Sequence, residues 1–248
     1  MPADKPRYLL VEARLDPKMQ EHELKCLIRA GGLERADFDI LDVTRQPFDT
    51  SLFDRYDAVF IGGTGDFSVA QDRPEWFEPL VEWTRGLLEK GVPSLGLCYG
   101  FHLMAHAVGG EVKTRPDLEE TGTYEVTLTE DGKTDAILDV LPATFLAQQG
   151  HHDVVLSMPS EYLRLAQSER CHWQAFRHPE KPFYGLQFHP ELGRNDFMDR
   201  MIAYSSSYAS TPETFEKINN QVKETNNDAV ISAFLERIVE PATESRAG

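Results

Sequence analysis

Cysteine is scarce in this chain: Cys26, Cys98 and Cys171 are the only three among 248 residues. Their odd number and wide spacing argue against a disulfide framework and for free thiols in a reducing, cytoplasmic setting. Basic residues are also in deficit, 25 Lys and Arg against 41 Asp and Glu, for a formal charge of −16. Such a surface repels the phosphates of nucleic acid and of anionic bilayers, so neither is expected as a partner. No apolar run approaches the roughly 20 residues of a membrane span, and Met1-Pro2-Ala3-Asp4-Lys5-Pro6 lacks the apolar core of a signal peptide. Repeats and low-complexity tracts are absent as well. What remains is a soluble chain long enough to bury a substantial core.

What the chain does have is an alternation of strand and helix signals. Tyr8-Leu9-Leu10-Val11-Glu12 reads as a strand, and the segment 17–30 reads as a helix stopped by Gly31-Gly32. Strands follow at 38–43 and 58–61, then a helix at 74–90 and a strand at Pro93-Ser94-Leu95-Gly96-Leu97. This order predicts an α/β fold: a three-layer, doubly wound, mainly parallel sheet covered by helices on both faces. The middle changes character. Residues 123–129 alternate as a half-exposed antiparallel strand does, and short strands are expected near 145–148, 163–167 and 172–176. Helices are expected at 195–207 and 212–239, with Thr211 as N-cap, Pro212 at the first helical position and a frayed tail at 240–248. The expected division is a main domain over 1–208 and a helical extension over 209–248 packed on it.

Between the strand at 93–97 and a helix over 101–108 lies Gly96-Leu97-Cys98-Tyr99-Gly100. It has the G-x-nucleophile-x-G form of a nucleophile elbow, in which flanking glycines let a strained turn close and expose the central side chain. A cysteine there also sits at a helix N-terminus, where the dipole favours the thiolate. About ninety residues later Gly185-Leu186-Gln187-Phe188-His189-Pro190-Glu191 ends a strand. Side chains two apart on an extended segment share a face, and Pro190 biases His189 toward extended geometry. His189 and Glu191 can thus serve one site, the carboxylate orienting an imidazole that activates a thiol.

Taken together, these two segments resemble the triad signature of class I glutamine amidotransferases. The resemblance runs over about residues 7–205. It includes Gly62-Gly63-Thr64-Gly65-Asp66 after the strand at 56–61, similar to the family's glycine-rich loop. It also includes Gln149-Gly150-His151-His152-Asp153-Val154-Val155 followed by Met158-Pro159, similar to a segment of the GMP-synthase-like branch. The resemblance implies Cys98 as nucleophile, His189 as base and Glu191 as its orienting carboxylate. It implies backbone amides of Gly63 and Tyr99 as oxyanion donors, and His152 and Asp153 on the substrate side. His102 occupies the position, four after the nucleophile, where the family carries a substrate-contacting Gln. The implied substrate is glutamine or a γ-glutamyl amide, hydrolysed through a thioester with no cofactor and no metal. Only 57 residues follow Glu191, too few for an ATP-dependent synthetase module. The expectation is therefore a stand-alone hydrolase or a glutaminase feeding a separate synthetase subunit. The third reading is a non-catalytic binding or regulatory protein that keeps the fold.

Other readings of the same residues are weaker. Gly63-x-Gly65 has Ser68 where a dinucleotide fingerprint needs its third glycine. Cys98, His102 and His106 fall at i, i+4 and i+8, a spacing open to zinc, but metal would consume the nucleophile. His106 is most simply a helix histidine.

Overall fold

In the computed structural model, which describes residues 6–209 and 211–247, five parallel strands form the heart of a nine-stranded sheet. The chain enters as β1 (Tyr8–Glu12), α1 (Pro17–Gly31), β2 (Phe38–Asp42), β3 (Ala58–Ile61), α2 (Phe77–Lys90), β4 (Ser94–Leu97) and α3 (Tyr99–Ala107). A pair of strands, β5 (Glu111–Thr114) and β6 (Glu120–Leu128), precedes the short α4 (Glu130–Lys133). Then come β7 (Thr144–His151), β8 (Asp153–Ser157), β9 (Leu163–Ser168), β10 (Ala175–Arg177) and β11 (Phe183–Leu186). The helices α5 (Arg194–Ala203), α6 (Ser205–Tyr208), α7 (Pro212–Gln221), α8 (Ala229–Phe234) and α9 (Glu240–Ala247) follow.

The sheet order is β2-β1-β3-β4-β11-β10-β9-β6-β7. Strands β2 to β11 in that order run parallel, and the last four extend the sheet antiparallel. Parallel strands are covered on both faces, which is why β1, β3 and β4 are buried at every position. Alternation sorts their side chains. Tyr8, Leu10, Ala58 and Phe60 join Leu24 and Leu27 of α1 and Phe234 of α8 in one core. Leu9, Val11, Val59 and Ile61 join Leu80 and Leu87 of α2 and Phe101 of α3 in the other. These are the three layers.

Local chemistry sets the helix ends. Asp16 accepts the Lys18 N–H ahead of Pro17, and Gly32 closes α1 at φ +62°. Helix α2 starts at Phe77, three residues later than the pattern suggests, because Phe77 N–H closes a turn on Pro74 O. Thr211 caps α7 by accepting the Thr214 N–H, as expected.

The C-terminal third departs from expectation in three places. The helix expected over 195–207 breaks at Tyr204, which leaves helical geometry at φ −107°, ψ 29°. The single helix expected over 212–239 is interrupted at 222–228. There the segment bonds to β7 and to the loop after β11: Gln148 Nε2 donates to Lys223 O, Asn227 Nδ2 to Leu146 O, and Thr225 Oγ1 to Leu192 O. Residues 240–247, expected to fray, continue helically from α8 through a π-helical turn at Leu235–Val239. In the middle of the chain, β5 and β8 form a separate two-stranded sheet that the residue pattern did not announce.

Candidate active site

Strand β4 delivers Cys98 to the carboxyl edge of the parallel sheet, where α/β folds place their ligands. Cys98 N–H donates to Leu186 O of β11, and the backbone then turns sharply at φ 52°, ψ −99°. Among the described residues Cys98 alone has positive φ without being glycine, a strain of about 1–3 kcal/mol that the surroundings impose. Those surroundings need glycine on either side. A Cβ at Gly96 would lie 2.6 Å from the Gly100 carbonyl carbon, and one at Gly100 would lie 2.1 Å from Ile61 O. The turn therefore presses α3 onto β3 and holds the thiol at the helix N-terminus.

Past β11, an antiparallel bridge from His189 N–H to Gln148 O fixes the next segment. The His189 ring turns Nδ1 to Glu191 Oε1 at 2.8 Å, and the ring lines one small cavity together with Cys98, whose thiol lies 3.6 Å from Gly150 O. Both His189 and Glu191 are buried. Burial works against the imidazolium, but the Glu191 charge and the hydrogen bonds to Cys98 and Glu191 outweigh it and raise His189 to about 9. Burial opposes the carboxylate too, yet His189 and Arg200 hold Glu191 below the usual carboxylate range. Three predicted residues thus meet at one point.

The glycine loop after β3 packs on this point. A Cβ on Gly63 would lie 3.1 Å from Arg14 Nη2, 3.2 Å from His189 Cε1 and 3.6 Å from Cys98 Cβ, so the loop approaches all three closely. The Gly63 N–H does not face Cys98 as expected. It donates to Glu23 Oε1 at 2.9 Å, because α1 inserts that buried carboxylate under the loop. The N–H groups of Tyr99 and Thr64 have no acceptor among the described residues.

Beneath the loop lies a buried charge cluster that the motifs did not reveal. Glu23 Oε2 accepts from Arg14 Nε at 2.6 Å, and Arg200 Nη1 lies 3.2 Å from Glu191 Oε1. Although burial opposes its charge, Arg14, Arg200 and the Gly63 amide bring Glu23 down to about 2. The adjacent Glu12 goes the other way, burial and the Glu23 charge holding its carboxyl well above the usual range. Two guanidinium groups therefore sit among the carboxyl groups of Glu12, Glu23 and Glu191, the pairing that buried charges require.

Two cavities open beside Cys98. One, of about 20 Å³, touches His189, Arg14, Arg200, Phe197 and Met201, which is room for about one water-sized molecule. The other, of about 170 Å³, is lined by Ser68, Tyr99, His102, His152, Asp153 and Tyr208 among others. His102, His152 and Asp153 are thus all brought to the larger cavity, but each has a protein partner. His102 is buried, which lowers it to about 4, and its neutral ring places Nε2 2.6 Å from Gln187 Oε1. His152 meets Glu119 Oε2 at 2.8 Å and stacks on Tyr208 with centroids 4.9 Å apart. The Asp153 carboxylate accepts from Ser68 Oγ, Ala70 N–H and Thr114 Oγ1, which pins the 68–70 loop to the β5–β8 sheet.

Metal-type donors converge elsewhere. His22, Cys26 and Asp196 lie together, as do Glu120, His151 and Cys171, and neither group includes Cys98. His106 packs its ring 5.8 Å from that of Phe77, away from His102, which removes the zinc reading of that helix face.

The family model for class-I glutamine amidotransferase matches residues 24–205, most of the chain and all of the elbow and His-Pro-Glu segments. The chain belongs to the class-I glutamine amidotransferase family. Within the family, it is 42% identical over 101 residues to a subunit of the glutamine-hydrolyzing GMP synthase of Methanopyrus kandleri, spanning 41% of this chain and 52% of that protein. It is 37% identical over 107 residues to the glutamine-hydrolyzing GMP synthase of Neisseria meningitidis, spanning 43% of this chain and 20% of that protein. A crystal structure of a glutamine amidotransferase from Thermotoga maritima superposes with a TM-score of 0.71 at 25% identity, covering 95% of this chain and 98% of that one. The amidotransferase match begins at residue 24, so Glu12, Arg14 and Glu23 lie outside it. No spacing rule links those three in the sequence. The only hint was polar residues ending a strand and facing in from an amphipathic helix.

Proposed function

We propose that this amidotransferase hydrolyses the side-chain carboxamide of glutamine through a Cys98 thioester and hands the ammonia to a separate synthetase subunit. The observation that carries the reading is the meeting of Cys98, on its strained turn, with His189 backed by Glu191. In the proposed cycle Cys98 Sγ attacks the amide carbon while His189 Nε2 takes the thiol proton. The oxyanion that forms is received by the Tyr99 N–H and by the neighbouring free Thr64 N–H, Gly63 being held by Glu23. One such donor is worth about 3–4 kcal/mol of transition-state stabilisation. His189 then gives its proton to the departing nitrogen, leaving glutamyl thioester and ammonia. Water, deprotonated by the same ring, attacks the thioester to release glutamate and restore the thiol.

The two cavities divide the substrate. The larger one accommodates a glutamyl group, and the smaller one, beside His189, has room for ammonia but not for a bulky amine. That difference supports glutamine over γ-glutamyl peptides. A second reading, a γ-glutamyl hydrolase, draws on His102 at the family's Gln position. The partner is proposed from the M. kandleri relative, whose name makes it one subunit of a synthase. The deciding experiment measures ammonia and glutamate release from glutamine and from γ-glutamyl dipeptides, with Cys98→Ala as control. Turnover of glutamine alone supports the proposal, and turnover confined to the dipeptides replaces it with the second reading. No Cys98-dependent release from either, with or without co-purifying protein, overturns both.

A further inference from the structure

Helix α5 brings Arg200 against the back of the site, outside both sequence motifs. The side chain is 6% exposed, and its Nη1 lies 3.2 Å from Glu191 Oε1 and 3.2 Å from His189 Nδ1. With Nδ1–H directed at Oε1, 2.8 Å away, the ring nitrogen has no lone pair to offer Nη1, so the guanidinium acts on this pair as a charge, in an ion pair with Glu191. Its Nη2 is buried without a hydrogen-bond partner, 4.0 Å from Glu23 Oε1, the oxygen that holds the Gly63 amide. One planar fork therefore spans the carboxylate behind the imidazole and the carboxylate under the glycine loop.

We infer that Arg200 is a positioning residue of the site: it anchors the Glu191 carboxylate, ties it to Glu23, and limits how tightly Glu191 holds a charged His189. The inference rests on the Cys98–His189–Glu191 reading above. Its physical basis is charge in a site closed to water. An imidazole flanked only by an unshared carboxylate and a thiolate stays protonated well above neutral pH, which makes it a poor base. A guanidinium on the shared oxygen draws part of the carboxylate charge away. It also places a positive charge next to the ring, and both effects release the proton more readily. Lysine supplies the charge at a single point, whereas arginine's fork reaches both carboxylates.

The other charged and titratable groups around the pair come from every element packed on it. Cys98, at the N-cap of α3, lines the same small cavity as the ring. Glu12 of β1, Arg14 just beyond that strand and Glu23 of α1 lie on the loop side. His22 of α1 meets Arg200 Nε at 3.5 Å, Arg29 Nη2 donates to the Glu191 carbonyl, and Cys26 and Asp196 flank that contact. Tyr204 and Tyr208 close the outer side. Arg200 is the cation of this set that touches both Glu191 and His189.

The test is the pH dependence of Cys98 alkylation by iodoacetamide in the wild type, Arg200→Lys and Arg200→Met, with Cys98→Ala defining labelling at other thiols. Alkylation needs no substrate, so it reads the thiol–imidazole pair whatever amide the enzyme takes. Removing the cation is expected to move the acid limb up by about one pH unit in Arg200→Met, the size of a single neighbouring charge. The same shift is expected in kcat/KM for glutamine, with kcat falling more than KM rises. Arg200→Lys is expected to keep the limb near its wild-type position. Identical limbs in the wild type and in a folded Arg200→Met, judged by circular dichroism, overturn the positioning role alone. A wild type in which Cys98→Ala leaves labelling unchanged overturns the triad reading, and the role of Arg200 with it.

Discussion

At the residue scale, the proposed chemistry depends on a few atoms held by backbone rather than by side-chain preference. Cys98 meets His189 because β4 and β11 are hydrogen-bonded neighbours and because the Cys98 amide is anchored to Leu186. No other thiol is near, Cys26 and Cys171 both being buried in other clusters with burial raising the Cys26 thiol to about 12. Cys98→Ala should therefore lower glutamine hydrolysis by at least about 10³-fold and abolish covalent labelling by a diazoketone analogue of glutamine, read by intact-mass spectrometry. His102 offers a subtler case. Its Nε2 is committed to Gln187 Oε1, so the ring lends the cavity wall an edge rather than a free donor. Replacing it by Gln restores a flexible amide that reaches either Gln187 or a substrate. His102→Gln should raise kcat/KM for glutamine relative to γ-glutamyl dipeptides by about 3–10-fold, a ratio measured by paired assays. An unchanged ratio would remove His102 from substrate choice.

At the scale of elements, the turn and the C-terminal helix are the sensitive parts. Gly100 sits where α3 meets β3, and an added Cβ would stand 2.1 Å from Ile61 O, a backbone atom that cannot swing away. Gly100→Ala should cost about 3 kcal/mol, the upper end for overpacking, and shift the nucleophile turn, seen as a lower denaturation midpoint together with lost activity. Helix α8 anchors the chain's end differently. Phe234 is fully buried, its ring 5.6 Å from Phe60 of β3 and 6.2 Å from Tyr184 of β11. Phe234→Ala removes that wedge and should destabilise by about 3–5 kcal/mol in chemical denaturation. Its distance in the fold from Cys98 makes the expected defect one of stability, with kcat per folded molecule retained.

At the scale of the whole molecule, the buried charges make stability a function of pH. Glu23 is depressed from 4.5 to about 2, so its contribution is present above pH 4.5 and is lost as pH falls toward 2. His189 is raised from 6.5 to about 9, so its contribution is full below pH 6.5 and is lost as pH rises through 9. His102, lowered from 6.5 to about 4, adds to the loss on the acid side. Thermal midpoints should therefore peak near pH 6–7 and fall on both sides. Glu23→Gln should flatten the branch below pH 4.5 while lowering the peak, because Arg14 loses its charge partner. A Glu23→Gln profile parallel to the wild type between pH 2 and 4.5 would contradict this account.

The sequence by itself determined the parallel core and the elbow, because both are written in neighbouring residues. Continuous apolar runs mark strands buried on two faces, and paired glycines around a cysteine mark a turn that no other residue permits. It also determined His189 and Glu191, two positions apart on one extended segment. Tertiary structure decided what depends on contacts between distant segments. Residues 222–228 leave the helix where Gln148 Nε2 donates to the Lys223 carbonyl and the Asn227 side-chain amide donates to Leu146 O of β7. The Gly63 amide turns to Glu23, forty positions earlier, because α1 packs beneath the glycine loop. Arg200 reaches Glu191 and Glu23 at once only after α1, α5 and the end of β11 have docked. Local propensity specifies the turn that holds Cys98, and only the folded chain can assemble buried charges that compensate one another.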